Sequence, residues 1–514
     1  MQSVSSHAHA QAVAPPEPEL VKGLGLTSAT TLVMGSMIGS GIFIVSADIA
    51  RLVDSPGLLI MAWVVTGFMT VSCALAYGEL AAMMPKAGGQ YVYLRESLGP
   101  LWGFLYGWTM FLVIQTGTIA AVGMAFGKFL GVFIPSVSST NWILHLWKAP
   151  PIHVGPMVLG NMDVGLSTQN LVAIVIVIVL TGVNVLGIKT GALIQNVFTF
   201  AKTAALLALV IVGVLLFRNP AAVAANFTDF WRLGPGHVDL GIASPVLFLI
   251  TLIGVAQVGS LFAADAWNNV TFTAGEVRNP RRNLPISLAV GTGAVILLYI
   301  LANFAYLNVL PMRGDPHGAT VIARGIQYAT EDRVATAAMI SIFGAAGGGL
   351  MALAILISTF GCNNGLILAG ARIYYAMAKD GLFFRQSGHV HPKYRTPVNA
   401  LVLQCVWTCI LCLSGSYSQL LDYTIFAVLV FYILTILGLF VLRRTQPHAE
   451  RPYRAFGYPV LPAMYIVMAT FIEVVLLRYK PQYTWPGLII VLIGIPVYFL
   501  TRRAALAPET SSAD

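Results

Sequence analysis

Three features of this sequence have the residue types and spacing for chemistry inside a membrane. The first is Gly35-Ser-Met-Ile-Gly-Ser-Gly-Ile-Phe43, in the middle of the first long apolar run. A glycine in a helix interior costs about 1 kcal/mol against alanine, so a span that merely crossed a bilayer would not collect them there. The second is Gly259-Ser-Leu-Phe-Ala-Ala-Asp-Ala-Trp267, which puts a glycine and the carboxylate of Asp265 at the depth of the sixth run. The third is Lys202, a single charge in the middle of the fifth. An interrupted helix in lipid strands N–H and C=O groups unless they line a cavity that holds a polar ligand. A half-helix resuming after Ser40-Gly41 aims its amides and the positive end of its dipole at that cavity, a seat for a carboxylate. Gly39 and Gly41 let the ligand approach the backbone, and the carbonyls that end the preceding half suit an ammonium. A ligand with both groups on one carbon, an α-amino acid, satisfies both ends. The competing reading of Gly35 and Gly39 is a small-xxx-small packing face; Ser40, Gly41 and the matching break in the sixth run favour the cavity.

The elements that must position these residues are membrane spans. The 514 residues are 57% hydrophobic and 10% charged, and the mean hydropathy is +0.80. So little charge cannot cover the surface of a soluble protein of this length, and the whole chain reads as an all-α polytopic membrane protein. Twelve apolar runs of spanning length recur from Thr27 to Arg502. The expected organisation is a tail over 1–26, a first five-helix unit over 27–217, a second over 243–442, two peripheral helices over 459–502 and a tail over 503–514. Five spans separate the two breaks, and an odd number per unit makes the halves inverted relative to each other, as in many secondary transporters. Residues 1–22 carry Pro15, Pro16 and Pro18 and no apolar run before Val21, so no cleavable leader is expected. The net charge of +9 follows topology and not nucleic acid: of 29 Lys and Arg, 18 fall on the side of both termini, 10 on the other and one in mid-span, the bias being plainest at Arg278, Arg281, Arg282, Arg443, Arg444, Arg451 and Arg454. The positive-inside rule makes that side cytoplasmic and the lipid bilayer of the cell membrane the partner.

The segments "MGSMIGSGIF", "MPKAGGQYVYLRESLG" (84–99), "FTFAKTAALLAL" (198–209) and "LFAADAWNNVTFTAGEVRNPRRNLP" (261–285) together resemble the amino acid-polyamine-organocation superfamily. Within it they are most similar to the L-type amino acid transporter branch and its bacterial relatives, from about Leu24 to Arg444. The resemblance implies a leucine-transporter-like fold, a 5+5 inverted repeat with two extra C-terminal helices, working by alternating access. It implies a substrate carboxylate at Gly39, Ser40 and Gly41 with Met37 and Ile38 beside them. Phe262 matches the aromatic that closes over substrate, and Trp267 and Asn268 match the lining of the sixth span. Asp265 departs from the mammalian pattern, which has glycine there; it can receive the ammonium, bind a proton or cap the second half-helix. Lys202 occupies the place that sodium takes in sodium-coupled relatives, which implies sodium independence at that site, with proton coupling or exchange as the alternatives. Ser358 and Thr359 can hydrogen-bond near Lys202, and Asn363 and Asn364 can line the path. The expected function is secondary transport of neutral L-amino acids, by proton symport or exchange; a transport-like receptor without flux is the alternative.

Other motifs carry less. Cys405, Cys409 and Cys412 have the spacing of an iron–sulfur ligand set but lie in an apolar run, where packing explains them. His145 and His153 fall in a loop without carboxylate or cysteine company, so no metal site is expected there. No cofactor motif and no nucleophile, base and orienter set is present, which excludes an enzyme reading. Asn226-Phe-Thr228 fits a glycosylation acceptor. All five cysteines lie inside apolar runs, so no disulfide-linked partner subunit is expected.

Overall fold

The computed structural model describes residues 20–506 apart from 151, 155–156, 160–161 and 414–416. Among these residues eleven helices are long and apolar enough to cross a membrane. They are Leu26–Ile44 (span 1), Pro56–Met83 (span 2), Pro100–Leu130 (span 3), Thr168–Val185 (span 4), Thr190–Leu216 (span 5), Pro245–Ala263 (span 6), Pro280–Val309 (span 7) and Val334–Lys379 (span 8). Thr424–Thr445 (span 10), Val460–Tyr479 (span 11) and Thr484–Thr501 (span 12) complete the set. The expected ninth crossing is the shorter apolar helix Val398–Cys412 (span 9). The prolines that punctuate the sequence sit in the first turn of spans 2, 3, 6 and 7, where the missing N–H is not needed. Span 8 is a 46-residue helix broken at Gly344, whose φ of 66° only glycine adopts freely.

The structure is mostly helical, as expected, with one local exception. The loop between spans 3 and 4 folds into strands Trp142–Ala149 (β1), Ile152–Val154 (β2), Met157–Leu159 (β3) and Met162–Ser167 (β4), with β1 antiparallel to β4 and β2 to β3. The segment from Trp142 to Trp147, apolar apart from His145, does not alternate as a half-buried strand would. His145 is also not without company, for Nε2 lies 3.1 Å from Asp163 Oδ1 across the β1–β4 pair.

Ion pairs on buried carboxylates close both ends of the bundle. At one end Glu276 takes a bidentate guanidinium from Arg372 at 2.9 and 3.1 Å, with both side chains 1% exposed or less. Its backbone carbonyl accepts the amides of Gly23 and Leu24 at 3.0 Å, which ties the chain before span 1 to the end of span 6. Nearby Glu79 accepts from Arg443 at 2.5 and 3.0 Å, from Arg451 at 3.2 Å and from the Ala455 amide at 2.7 Å. At the opposite end Asp54 receives Arg313 at 2.8 Å, Gln327 at 2.9 Å and the Gly236 amide at 2.9 Å. Asn226 belongs to this framework and not to a glycan site: it is buried and clasps the carbonyls of Leu307 and Leu310 at 2.7 and 2.8 Å.

Candidate functional site

Span 1 stops at Met37, bends through 38–40 and resumes as Gly41–Ile44. Span 6 stops at Ala263 and resumes as Asn269–Phe272. The two interruptions touch: a Cβ added to Gly41 would lie 2.6 Å from Ala263 Cβ and 2.8 Å from its Cα. Glycine at 41 is therefore what lets the breaks meet. A Cβ at Gly39 would lie 3.0 Å from Cys362 Sγ of span 8, and one at Gly35 would collide with the side chains of Gln195 and Thr199 of span 5. Packing and interruption are thus both features of the Gly35–Gly41 stretch. Tyr299 of span 7 holds the breaks in place, its hydroxyl reaching the carbonyls of Met37 at 2.8 Å and Ala263 at 3.2 Å.

The end of the first half-helix has lost its intrahelical donors, and side chains supply replacements. Lys202, fully buried, donates from Nζ to the carbonyls of Gly35 at 2.5 Å, Ile38 at 2.7 Å and Ser358 at 3.3 Å. Ser358 Oγ lies 3.0 Å from the Ile38 carbonyl and 3.2 Å from that of Gly39, and Cys362 Sγ is 3.1 Å from the Ser36 carbonyl. The carbonyls that the sequence offers to a ligand ammonium are thus already served by protein donors. Where the second half begins, the Phe43 amide donates to the Ser40 carbonyl at 3.1 Å and the Val45 amide to that of Gly41 at 2.9 Å, while Gly41 and Ile42 stand too early for an acceptor inside their own helix.

Lys202 and Ser358 thus come together on span 1. Thr359 does not join them, because its hydroxyl donates to Ile355 and Leu356 of its own helix at 2.9 and 3.1 Å. Asn364 faces spans 4 and 5, donating to the Gly191 carbonyl at 3.0 Å and Gln195 at 3.2 Å. Asn363 is buried with no hydrogen-bond partner for its amide among the described residues.

At the second break Asp265 accepts the Tyr432 hydroxyl of span 10 at 2.6 Å. Asn268, not Asp265, is the residue before the resumed half-helix, and no side chain caps it, so the capping alternative is not what the carboxylate does. Asn268 Nδ2 donates to Gln90 at 2.9 Å, which donates in turn to Thr435 at 3.0 Å. Phe262 is 8% exposed. Trp267 is packed edge-on to Tyr77 at 4.8 Å and lies 5.3 Å from Tyr432. Two cavities of about 20 Å³ each flank the Asp265–Tyr432 pair; Gln90, Gln115 and Asn269 line one, Thr70, Cys73 and Tyr465 the other. Each has room for a water and not for an amino acid. Gly39 to Gly41 line neither, so with both ends latched this arrangement is closed around the breaks. Tyr299, Tyr432 and Gln90 were not foreseen; a lone tyrosine in an apolar run has no spacing signature.

The profile of the family described as amino acid permease matches residues 24–498, nearly the whole chain. The protein belongs to that family. It is a transporter and not an enzyme. Among similar proteins, the serine/threonine exchanger SteT of Bacillus subtilis is 28% identical over 94% of this chain and 98% of its own length. The human large neutral amino acids transporter small subunit 2 is 29% identical over 94% of this chain and 80% of its own. The human b(0,+)-type amino acid transporter 1 is 27% identical over 95% and 90%.

Proposed function

We propose that this permease carries neutral L-amino acids by alternating access, with the zwitterion held between the two breaks. The observation that supports the reading is the contact of Gly41 with Ala263, which sets the start of one half-helix against the end of another, two residues from Asp265. The substrate carboxylate sits at Gly39, Ser40 and Gly41, against the start of the second half-helix, with Met37 and Ile38 beside it. The ammonium goes to Asp265, because the carbonyls of residues 35–39 are engaged by Lys202, Ser358, Cys362 and Tyr299. Phe262 closes over the ligand, and Trp267 and Asn268 form the wall behind it.

Lys202 bridges three carbonyls of spans 1 and 8, the kind of oxygen set that binds a sodium ion. Its ammonium supplies the positive charge there, and transport at this site proceeds without sodium, by exchange or with a proton. The loops bearing Arg278, Arg281 and Arg443 face the cytoplasm, as do both termini, and the chain sits in the cell membrane. It works without a disulfide-linked partner, since its five cysteines all lie within spans.

Proteoliposomes with imposed gradients test this. Labelled amino acid accumulating only in vesicles preloaded with unlabelled amino acid means exchange, and accumulation driven by an acid exterior means proton symport. Saturable binding without accumulation would make the protein a receptor, and a strict need for external sodium would remove Lys202 from its assigned place.

A further inference from the structure

An apolar groove runs along the exposed face of span 11. Pro459, Val460, Ala463 and Met464 line its first part, of about 490 Å³. Phe471 and Ile472, with Val65 of span 2 and Gly254 of span 6, line its continuation of about 370 Å³. Val467 and Met468 belong to both, so the groove is continuous. Val460 is 60% exposed and Val467 68%, so it opens sideways to the surrounding hydrocarbon and not toward the substrate cavities. From Pro459 to Ile472 a helix rises about 20 Å, more than one leaflet of a hydrocarbon core about 30 Å thick.

A second cavity, of about 270 Å³, lies at the basic end of span 2 between Arg281, Arg282, Pro285, Ile286, Pro452 and Tyr453. Tyr453 and Pro285 meet over Gly78 of span 2, where an added Cβ would lie 2.9 and 3.4 Å from them. Span 2 is therefore a wall common to both features: Gly78 under the basic cavity and Val65 in the groove are about 20 Å apart along the helix. Between them Phe68, Val71 and Leu75 are half-buried, and Val64, just beyond Val65, is exposed, which leaves an apolar track. The two arginines are not equivalent. Arg281 is paired with Glu450 at 2.8 and 3.0 Å. Arg282 is exposed and has no partner among the described residues, so this cavity carries an uncompensated guanidinium directly above an apolar track.

We propose that this is a binding site for one anionic glycerophospholipid of the cytoplasmic leaflet. The phosphate headgroup sits at Arg282 beside Tyr453, and an acyl chain follows span 2 into the groove of span 11. A guanidinium beside a phosphate is the strong bidentate case, and an apolar slot open to hydrocarbon takes a chain and excludes water. Because Gly254 lies nine residues before Ala263, where the first half of span 6 ends, the chain packs against the helix that must move for access to alternate. The leaflet assignment rests on the orientation given under the proposed function; the lipid site itself does not.

The test is native mass spectrometry of the purified protein incubated with equal amounts of phosphatidylglycerol and phosphatidylcholine. Phosphatidylglycerol is retained preferentially. Arg282→Gln, an exposed change that leaves packing intact, lowers its retention about five-fold, as one basic contact worth about 1 kcal/mol predicts. Met468→Trp, which fills the groove, lowers retention of both lipids, and millimolar inorganic phosphate displaces neither. Equal retention of the two lipids, or retention unchanged in Arg282→Gln, overturns the site. Labelling of Arg282→Cys by an impermeant maleimide in intact cells would move the site to the other leaflet and overturn the orientation, with retention in detergent untouched. A failure of amino acid uptake alters neither measurement, so the two proposals fail separately.

Discussion

Replacing Lys202 by methionine keeps the length and apolar stem of the side chain and removes the ammonium. Three carbonyls lose their charged donor at once, those of Gly35 and Ile38 in span 1 and Ser358 in span 8, and the two in span 1 are not equally affected. The Ile38 carbonyl keeps Ser358 Oγ at 3.0 Å. The Gly35 carbonyl has no such replacement, because the amide four residues on, Gly39, bonds Met37 instead at 2.8 Å. A carbonyl stranded in a dry interior costs about 1–3 kcal/mol. That is a fraction of the 5–15 kcal/mol typical of a folded domain, so Lys202→Met folds, with a lowered melting temperature in detergent. The same bonds hold the bend over residues 38–40. If the whole cost falls on the ligand-competent geometry, amino acid affinity drops about five- to 150-fold. Scintillation-proximity binding of a labelled amino acid, with thermal unfolding of the same samples, measures both. Wild-type affinity together with an unchanged melting temperature would show that Lys202 does not hold the first break, and the assignment of residues 37–41 as the carboxylate seat would lose its support.

Four further outcomes follow from the same geometry. Gly41→Val drives a side chain into the Ala263 backbone and forces the breaks apart, so binding is lost while Gly25→Ala, with open space at its Cβ, binds normally; normal binding in Gly41→Val would contradict the contact. Glu276→Leu leaves Arg372 buried and unpaired at a cost of about 3–5 kcal/mol, and adding Arg372→Met recovers most of it; thermal shifts of the single and double variants check this, and a neutral single variant would mean the pair is not buried in the working protein. Glu473 of span 11 is buried with neither carboxylate oxygen partnered among the described residues, so Glu473→Leu raises the melting temperature, whereas a fall would reveal a partner. Lys202→Ala abolishes the pH dependence of uptake if a proton is coupled through this residue, and an unchanged pH profile with uptake retained assigns coupling elsewhere.

The parts of this architecture visible in the sequence are those that break a rule of membrane chains. Glycines and Asp265 in the middle of apolar runs marked both interruptions, and Lys202 stood out because nothing else in its run is charged. What satisfies them was not visible. Tyr299, Tyr432 and Gln90 come from distant segments, and their hydroxyl and amide groups gain meaning only when the fold sets them against Met37, Asp265 and Asn268. Ser358 and Thr359 are neighbours in sequence, yet 100° of helix turn separates them, and only Ser358 faces the first break. The carbonyls thought to await an ammonium are occupied for a similar reason, since their donors arrive from spans 5, 7 and 8. Asn226 matched a surface motif that burial overrides.

The central claim is that one zwitterion bridges the two interruptions, and competition by incomplete ligands tests it most directly. In proteoliposomes preloaded with unlabelled amino acid, uptake of a labelled neutral L-amino acid should be inhibited by other neutral L-amino acids. It should be unaffected by the corresponding amine, which lacks the carboxylate, or by the corresponding acid, which lacks the ammonium. Inhibition by either fragment equal to that of the intact amino acid would contradict the two-ended site.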